Sequence, residues 1–169
     1  DECVVAEPGE GWKLARTTLA NERVAMATTR LSASTERAVE LASAGTLTAA
    51  EQVAVGRAVA LSTVCTLLGV RSTLRSLAGQ GPGAESSVAK LLGVRNRQDA
   101  SELVVSLQQE RLLLVDTTAR GEDRFAADVW EMLNTRCLSI AGGTTQILRN
   151  VAGERILGLP RGARGCSAC

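Results

Sequence analysis

The chain has 169 residues, 45% hydrophobic and 22% charged, with a formal net charge of +1. This profile is typical of one soluble globular domain and gives no indication of a nucleic-acid partner or an acidic membrane surface. Because histidine is absent and the aromatic residues are 2 Trp and 1 Phe, a Ser-His-Asp triad, an HExxH zinc site and a base-stacking platform are excluded, and acid–base chemistry falls to carboxylates.

Glycines divide the first half of the chain into two predicted helices. A loop at residues 7–11 precedes a first helix over residues 12–44, with Gly45 as its stop. Thr48 and Glu51 have the spacing of a capping box, which predicts a second helix that ends in the glycine-rich segment after residue 78. Along this helix apolar side chains recur on one face: Val53, Ala60, Val64, Leu67, Leu74 and Ala78.

The second half contains three more predicted helices. The third covers residues 84–115, including the short apolar run at 112–115, and a turn at 117–122 ends it. The fourth carries an apolar stripe: Ala126, Val129, Trp130, Leu133, Cys137 and Ile140. Gly142 and Gly143 then turn the chain into a short fifth helix that runs through Leu157. No segment has a convincing strand pattern, so we expect an all-α fold, an up-down four-helix bundle with an extra short C-terminal helix.

The five cysteines give a weak signal. Cys166 and Cys169 form a CxxC pair in a Gly/Arg-rich tail, which either binds a metal or forms a disulfide, or is a plain frayed terminus. Cys65 and Cys137 fall in apolar stretches and are expected to fill space in the core, while Cys3 stands apart from the others. Neither a signal peptide nor an 18-residue apolar run is evident, so we expect a soluble cytoplasmic protein without a membrane span.

Glu22 interrupts an apolar face of the first helix. With steps of four, three and four residues, Ala15, Leu19, Glu22 and Met26 share that face, and Glu22 has no basic neighbour one turn away. The adjacent Arg23 is equally unpartnered within the helix. Partial burial would suit this carboxylate to act as a general base, but the same pattern fits a helix edge that reaches solvent or pairs with another helix.

The segment Ala141-Gly142-Gly143-Thr144-Thr145-Gln146 is the second candidate site. Two glycines permit a tight turn and close approach of a ligand to the backbone. The threonines follow where a new helix exposes free amides and the positive end of its dipole. Such an end can hold an anionic or carbonyl-rich group, or the threonine can serve as an ordinary helix cap.

Three stretches resemble the carboxy-terminal domain of the acyl-CoA dehydrogenases. GEGWKLARTTLANERVAMA (residues 9–27) is similar to the start of that family's first bundle helix, and IAGGTTQILRNVAGERILGLPR (residues 140–161) is similar to its flavin-side turn and terminal helix. Between them, GPGAESSVAKLLG (residues 81–93) matches the start of the third bundle helix in actinobacterial members. The resemblance implies FAD as cofactor, an acyl-CoA thioester as substrate and an electron-transfer protein as acceptor.

The resemblance also assigns roles to individual residues. Most members carry a catalytic glutamate just before the turn, where this chain has Gly142, which cannot act as a base. A subset carries the base on the first bundle helix in a Glu-Arg pair, which matches Glu22 as the base and Arg23 as the residue that orients it. Gly142, Gly143, Thr144 and Gln146 match the turn that contacts the flavin, and Arg149 matches an arginine of the terminal helix motif.

Two family motifs are absent from the chain. ERAVELASAGTLTAAEQ (residues 36–52) stands where the family has R-x-x-F-G, and SLQQERLLLVDTTARG (residues 106–121) stands where it has Q-x-x-G-G-x-G. Because both motifs complete the flavin site of a neighbouring subunit, the pattern resembles members that pair two different chains in a heterotetramer. We therefore expect a companion dehydrogenase subunit.

The resemblance divides the chain into three parts. Residues 1–11 would be a linker from a missing β-domain, residues 12–160 the helical bundle and residues 161–169 a flexible tail. The chain is then expected to be part of an enzyme and inactive alone. Two alternatives remain open at this point, a structural subunit of the same assembly that binds no flavin and a stand-alone helical interaction module.

Overall fold

A computed structural model describes residues 5–27, 32–81, 83–108 and 123–160, and every regular element within these ranges is helical, which confirms the predicted all-α class. In the first helix the side chains described are those of residues 11–19 and 22. Six α-helices follow in chain order, with a 3-10 helix at Thr135–Ser139 after the fifth: α1 Gly11–Ala27, α2 Ala33–Ala44, α3 Ala49–Leu77, α4 Glu85–Ser106, α5 Arg124–Asn134 and α6 Thr145–Arg155.

The predicted first helix is two helices, α1 and α2, so the prediction of one continuous helix over residues 12–44 was wrong. Ser32 has an extended backbone with ψ of 141° and caps α2, because its side chain accepts a hydrogen bond from the backbone N–H of Thr35. The Ser32 N–H in turn donates to the hydroxyl of Ser62 on α3 at 3.3 Å. A local cap and one long-range hydrogen bond therefore mark the start of a new helix at this point, although the apolar periodicity of the sequence continues through it. Gly45 ends α2, as predicted.

The capping box at the start of α3 is confirmed. The Thr48 side chain accepts from the backbone N–H of Glu51, and the Glu51 carboxylate accepts from the backbone N–H of Thr48 at 2.8 Å and from its hydroxyl at 2.7 Å. These hydrogen bonds to the charged form lower the pKa of Glu51, and the Thr48 hydroxyl contributes most. At the other end α3 stops before Gly79, whose φ of 74° suits glycine.

The helix α4 is shorter than predicted. It ends at Ser106, with Leu107 as its C-cap, instead of continuing to Val115. The Gln108 side chain turns inward there and donates to the Val104 carbonyl at 3.0 Å and to the Asp128 carboxylate on α5 at 2.9 Å. The bond from Gln108 to Asp128 holds the end of α4 against α5, and the helical pattern of the sequence does not reveal it. The predicted run and turn at residues 112–122 lie outside the described residues.

The helix α4 lies at the centre of the described fold. It packs against each of the other five α-helices and against the 3-10 helix. Its buried residues are as much polar as apolar: Ser86, Ser87, Lys90, Val94, Asn96, Ala100, Ser101, Val104 and Val105. The apolar part of the core includes the cluster of Val105, Phe125 and Val129, against which Met132 packs. Buried polar groups generally need partners inside the bundle, although the Ser87 hydroxyl and the Asn96 side-chain oxygen have no hydrogen-bond partner in the described part of the chain.

The predicted apolar face of α3 is exposed. Val53, Val64, Leu67 and Leu74 are 45–63% exposed, whereas the side of α3 that is buried carries Val55, Ser62, Cys65 and Gly69. We call the exposed row the α3 stripe, and its residues are Val53, Val64, Leu67, Val70, Leu74 and Leu77. The predicted periodicity is thus present, but the residues that repeat do not face the core of this chain.

By length and composition, α3 is also apolar enough to cross a membrane, contrary to the expectation from the sequence. One 18-residue window has a mean hydropathy of 1.8, and 17% of that window is buried. A single helix of this kind is weak evidence for a membrane span, since the core helix of a soluble protein passes the same test.

The two cysteines of the described residues have different surroundings. Cys65 is buried in α3, as predicted, and burial raises the pKa of its thiol. Cys137 is exposed on the 3-10 helix, so the prediction that it fills the core was wrong. The prediction fails because the stripe after α5 continues onto a 3-10 helix, whose three-residue turn rotates side chains away from the α-helical register. Cys3, Cys166 and Cys169 lie outside the described residues.

The capping box makes a prediction about acid stability. Because the folded-state pKa of Glu51 is lowered, its contribution to stability is present above about pH 4.5, its ordinary value, and is lost as the pH falls through the folded value. We expect Glu51→Gln to lower the thermal unfolding midpoint at pH 7 and to lose this difference from the unsubstituted protein towards pH 3. Circular dichroism at a series of pH values measures both midpoints.

Glu36→Gln is the matched control, because Glu36 also lies in the first turn of its helix, without a capping box. For Glu36→Gln, the difference in unfolding midpoint from the unsubstituted protein should not shrink in this way as the pH falls from 7 to 3. A difference between Glu51→Gln and the unsubstituted protein that stays constant from pH 7 to pH 3 contradicts the prediction.

Candidate functional site

The turn between the 3-10 helix and α6 is built on two glycines in the left-handed region. Gly142 has φ of 66° and Gly143 has φ of 108°, which L-residues with side chains rarely adopt. The Gly143 N–H donates to the carbonyl of Ile140 at 3.1 Å and closes the turn. Gly142 is buried and Gly143 is partly exposed. The predicted tight turn is therefore confirmed, and neither of these two residues carries a side chain of its own.

Thr144 caps α6 immediately after the turn. Its backbone is extended, with ψ of 155°, and its hydroxyl accepts from the Ile147 N–H at 3.4 Å. The N–H groups of Thr145 and Gln146 lie in the first turn, where a helix supplies no carbonyl acceptors. Together with the helix dipole, these amides can bind an anionic or carbonyl-rich group. Both the capping role and the binding role are thus compatible with the same threonine.

A buried lysine from α4 binds this turn. Lys90 is 1% exposed, and its Nζ donates to the carbonyl oxygen of Gly143 at 2.7 Å. Sequence reasoning missed this residue, because its acceptor is a backbone carbonyl 53 positions away and has no sequence signature. The available signal was compositional, since Lys90 stands in a chain that otherwise uses arginine for almost every positive charge.

Other polar side chains of α4 hold the segment before the turn. The Gln98 amide donates to the Thr135 carbonyl at 2.9 Å and to the Ser139 hydroxyl at 3.0 Å. Arg97 pairs with Glu131 of α5 at 3.0 Å. The chain from α5 to the glycine turn is therefore fixed to α4 at several points, and Lys90 provides the last of these before α6.

Glu22 lies on α1 and is half-buried. Among the described residues its carboxylate has no hydrogen bond or ion pair, which agrees with the absence of a basic neighbour on its own helix. The side chain of Arg23 lies outside the described residues. Helix α1 packs along α4, and the glycine turn is bound to α4 through Lys90. The two candidate regions therefore share one neighbouring helix, and no hydrogen bond joins Glu22 to the turn in the described part of the chain.

Gln146 and Arg149 are exposed on α6, whereas Leu148 between them is fully buried and anchors this helix. The structure thus brings Gly142, Gly143, Thr144 and Gln146 together at the start of one helix. Within the described ranges no group of three or more His, Cys, Asp and Glu side chains could hold a metal ion. The predicted CxxC alternative lies outside those ranges.

Comparisons with known proteins give one consistent result. The family model described as "Acyl-CoA dehydrogenase, C-terminal domain" matches residues 9–157. The chain is 47% identical over 162 residues to Acyl-CoA dehydrogenase FadE34 of Mycobacterium tuberculosis, which is 95% of this chain and 21% of that protein. It is 31% identical over 170 residues to Acyl-CoA dehydrogenase IpdE1 of the same organism, which is 97% of this chain and 42% of that protein.

Two solved structures have a similar fold. A variant of the Tcur3481-Tcur3483 steroid ACAD matches with a TM-score of 0.78 and 21% identity, over 93% of this chain and 42% of that one. The ChsE4-ChsE5 complex from Mycobacterium tuberculosis matches with a TM-score of 0.71 and 22% identity, over 93% of this chain and 43% of that one. The chain thus spans less than half the length of each of these relatives.

The glycine turn makes a prediction about backbone strain. Replacing Gly143 by alanine forces a side chain into φ of 108°, so we expect Gly143→Ala to lower the free energy of unfolding by about 1–3 kcal/mol. The control is Gly56→Ala on α3, where an added Cβ meets no atom within 4 Å. There, alanine should raise the free energy of unfolding by up to about 1 kcal/mol.

Urea unfolding monitored by circular dichroism measures both variants. Opposite signs are expected at the two glycines. Equal stability of Gly143→Ala and the unsubstituted protein would show that the turn relaxes without strain.

Proposed function

The chain belongs to the acyl-CoA dehydrogenase family through its C-terminal domain, and we propose that it is the helical bundle of a FAD-dependent enzyme that removes one hydrogen each from the α- and β-carbons of an acyl-CoA thioester. The observation that carries this proposal is the Gly142–Gly143 turn at the start of α6, with its two positive φ angles and its capping threonine. Residues 12–160 would form this bundle, residues 1–11 would connect it to a preceding β-domain, and residues 161–169 would be a tail.

The donors at the turn fit a flavin. A flavin ring presents carbonyl oxygens and ring nitrogens, which accept hydrogen bonds from backbone amides, and the glycines allow a planar ring to approach the backbone. Gly142, Gly143, Thr144 and Gln146 would hold the ring and the chain attached to it. Bound FAD would supply a two-electron acceptor for the hydride that leaves the β-carbon.

Glu22 is the proposed base. Its carboxylate would take the proton from the α-carbon while the β-carbon loses a hydride, so that a carbon–carbon double bond forms and Glu22 ends protonated. Half-burial on α1 and the absence of a partner among the described residues leave this carboxylate available for a substrate. Arg23 would orient it. No other candidate base stands at the turn itself, because Gly142 occupies the position where most members of the family carry theirs.

The α3 stripe supports a companion subunit. Its six apolar side chains are 45–80% exposed, and a row of this kind is typical of a surface covered in an assembly. The companion would be a second acyl-CoA dehydrogenase chain that retains the R-x-x-F-G and Q-x-x-G-G-x-G motifs, and together they would form a heterotetramer. An electron-transfer protein would reoxidise the flavin, and the enzyme would act in the cytoplasm in lipid or steroid breakdown.

The assignment of Glu22 is tested by substitution in the full-length chain produced with its companion. We expect Glu22→Gln to lower turnover of an acyl-CoA substrate at least about 10²-fold, since a positioned base typically contributes that much. Exchange of the α-proton into deuterated water, followed by mass spectrometry, should fall to a similar extent. Glu36→Gln on the exposed surface of α2 is the control and should leave both rates unchanged. Turnover of Glu22→Gln within about tenfold of the unsubstituted enzyme excludes Glu22 as the base.

Flavin content separates the enzyme from the alternative of a structural subunit. We expect the purified complex of the full-length chain with its companion to be yellow, with flavin absorbance bands, and the full-length chain alone to contain little flavin. The physical reason is that the motifs missing from this chain would have to come from the companion. The same measurement is made on the complex that carries Gly143→Ala. If this complex keeps its full flavin content, the flavin binds at sites to which the turn does not contribute.

A further inference from the structure

We propose that Lys90 is a positioning residue for the flavin site: its buried ammonium fixes the Gly143 carbonyl and thereby strengthens the Thr144 N–H as a donor to the bound cofactor. The inference rests on the proposed function, because it concerns the same turn. It adds a residue on α4, which lies far from the turn in sequence and carries no signature of a flavin site.

Lys90 places a charged group inside the protein. Lys90 is 1% exposed, and a charged side chain is rarely this buried without partners, because desolvation of an ammonium is costly. The bond from Nζ to the Gly143 oxygen is 2.7 Å long, which is short for an N–H···O bond and typical of one with a charged donor. Removing the ammonium would therefore change the turn more than removing an exposed lysine would.

A lysine is a rare residue in this chain. The chain has two lysines, Lys13 and Lys90, and all its other basic residues are arginines. Lys13 is exposed on α1, where it pairs with Glu10. A lysine places a compact charge at the end of an unbranched stem, whereas an arginine would bring a planar fork with five N–H donors into the same buried space. The compact ammonium fits this space, and it donates to the backbone carbonyl of Gly143.

The glycines of the turn are conformationally permissive. Two successive glycines can take many backbone conformations, so a flavin that binds an unfixed turn must also order it. Gln98 fixes the preceding 3-10 helix at Thr135 and Ser139, and Lys90 fixes the turn itself. Lys90 therefore lowers the entropic cost of binding at the glycines.

Lys90 acts on the peptide unit that links Gly143 to Thr144. Its carbonyl oxygen accepts from the Lys90 ammonium, and its N–H belongs to Thr144. Donation by a cation to the oxygen of a peptide unit polarises the N–H of the same unit and makes it a stronger donor. No hydrogen bond from this N–H to another described residue is seen, so it is available to an acceptor atom of a ligand.

The test uses the full-length chain in complex with its companion, stripped of flavin and titrated with FAD. Lys90→Met removes the charge and keeps the length of the stem, Lys90→Arg restores a cation, and Lys13→Met is the matched control. We expect Lys90→Met to raise the FAD dissociation constant at least about tenfold, because FAD must then order an unfixed turn and meets a weaker donor at the Thr144 N–H. Lys90→Arg should recover part of this loss, and Lys13→Met should remain within about twofold.

The thermal unfolding midpoint of each flavin-free variant is measured alongside. A Lys90→Met complex with a lower midpoint but an unchanged FAD dissociation constant gives Lys90 a purely structural role and overturns the inference. Failure of the unsubstituted complex to bind FAD overturns the proposed function and this inference with it. A loss of FAD affinity that is confined to the Lys90 variants supports both the proposed function and the inference about Lys90.

Lysine labelling of the unsubstituted complex gives a readout that does not depend on the variants folding. Acetic anhydride should modify Lys13 rapidly and Lys90 slowly, and saturating FAD should slow the modification of Lys90 at least about tenfold while Lys13 is unaffected. Mass spectrometry of the two peptides measures the rates. A Lys90 rate that is insensitive to FAD shows that the turn and the cofactor are not coupled, which contradicts the inference.

Discussion

Buried polar side chains need partners inside the protein, and α4, which packs against every other described helix, carries several such side chains. Lys90 binds the Gly143 carbonyl, Gln98 binds the 3-10 helix, and Gln108 binds Asp128 of α5. Lys90 and Gln98 lie on α4, and Gln108 lies just after its C-cap, so the three side chains bind successive neighbours along this part of the chain. The position of the glycine turn therefore depends on the polar residues of α4 as much as on apolar packing.

Local signals in the sequence predicted local structure well. The capping box of Thr48 and Glu51, the stop at Gly45 and the turn at Gly142 are each determined by residues within a few positions of one another. The all-α class followed from the helical period. The division at Ser32 was missed because its deciding bond reaches Ser62, 30 residues away. Lys90 was missed for the same reason, since a backbone acceptor can belong to any residue type.

Apolar periodicity predicted which residues of α3 share a face, but not which way that face points. Val64, Leu67 and Leu74 repeat as a core-facing row would, yet they are exposed in this chain. The period is a property of the helix, whereas burial depends on everything packed around it. For the candidate site, the resemblance of residues 140–161 to a known family singled out the glycine turn, and the structure added the geometry that makes the turn suitable for a ligand.

The α3 stripe has a thermodynamic consequence. Apolar side chains that stay in water in the isolated chain contribute to stability only when another surface covers them, at roughly 25 cal/mol per Å² of area removed from water. The folding equilibrium of this bundle is then linked by mass action to whatever covers the stripe. With a partner that covers the stripe, the melting temperature would rise with the concentration of that partner, and a single value would not characterise the protein.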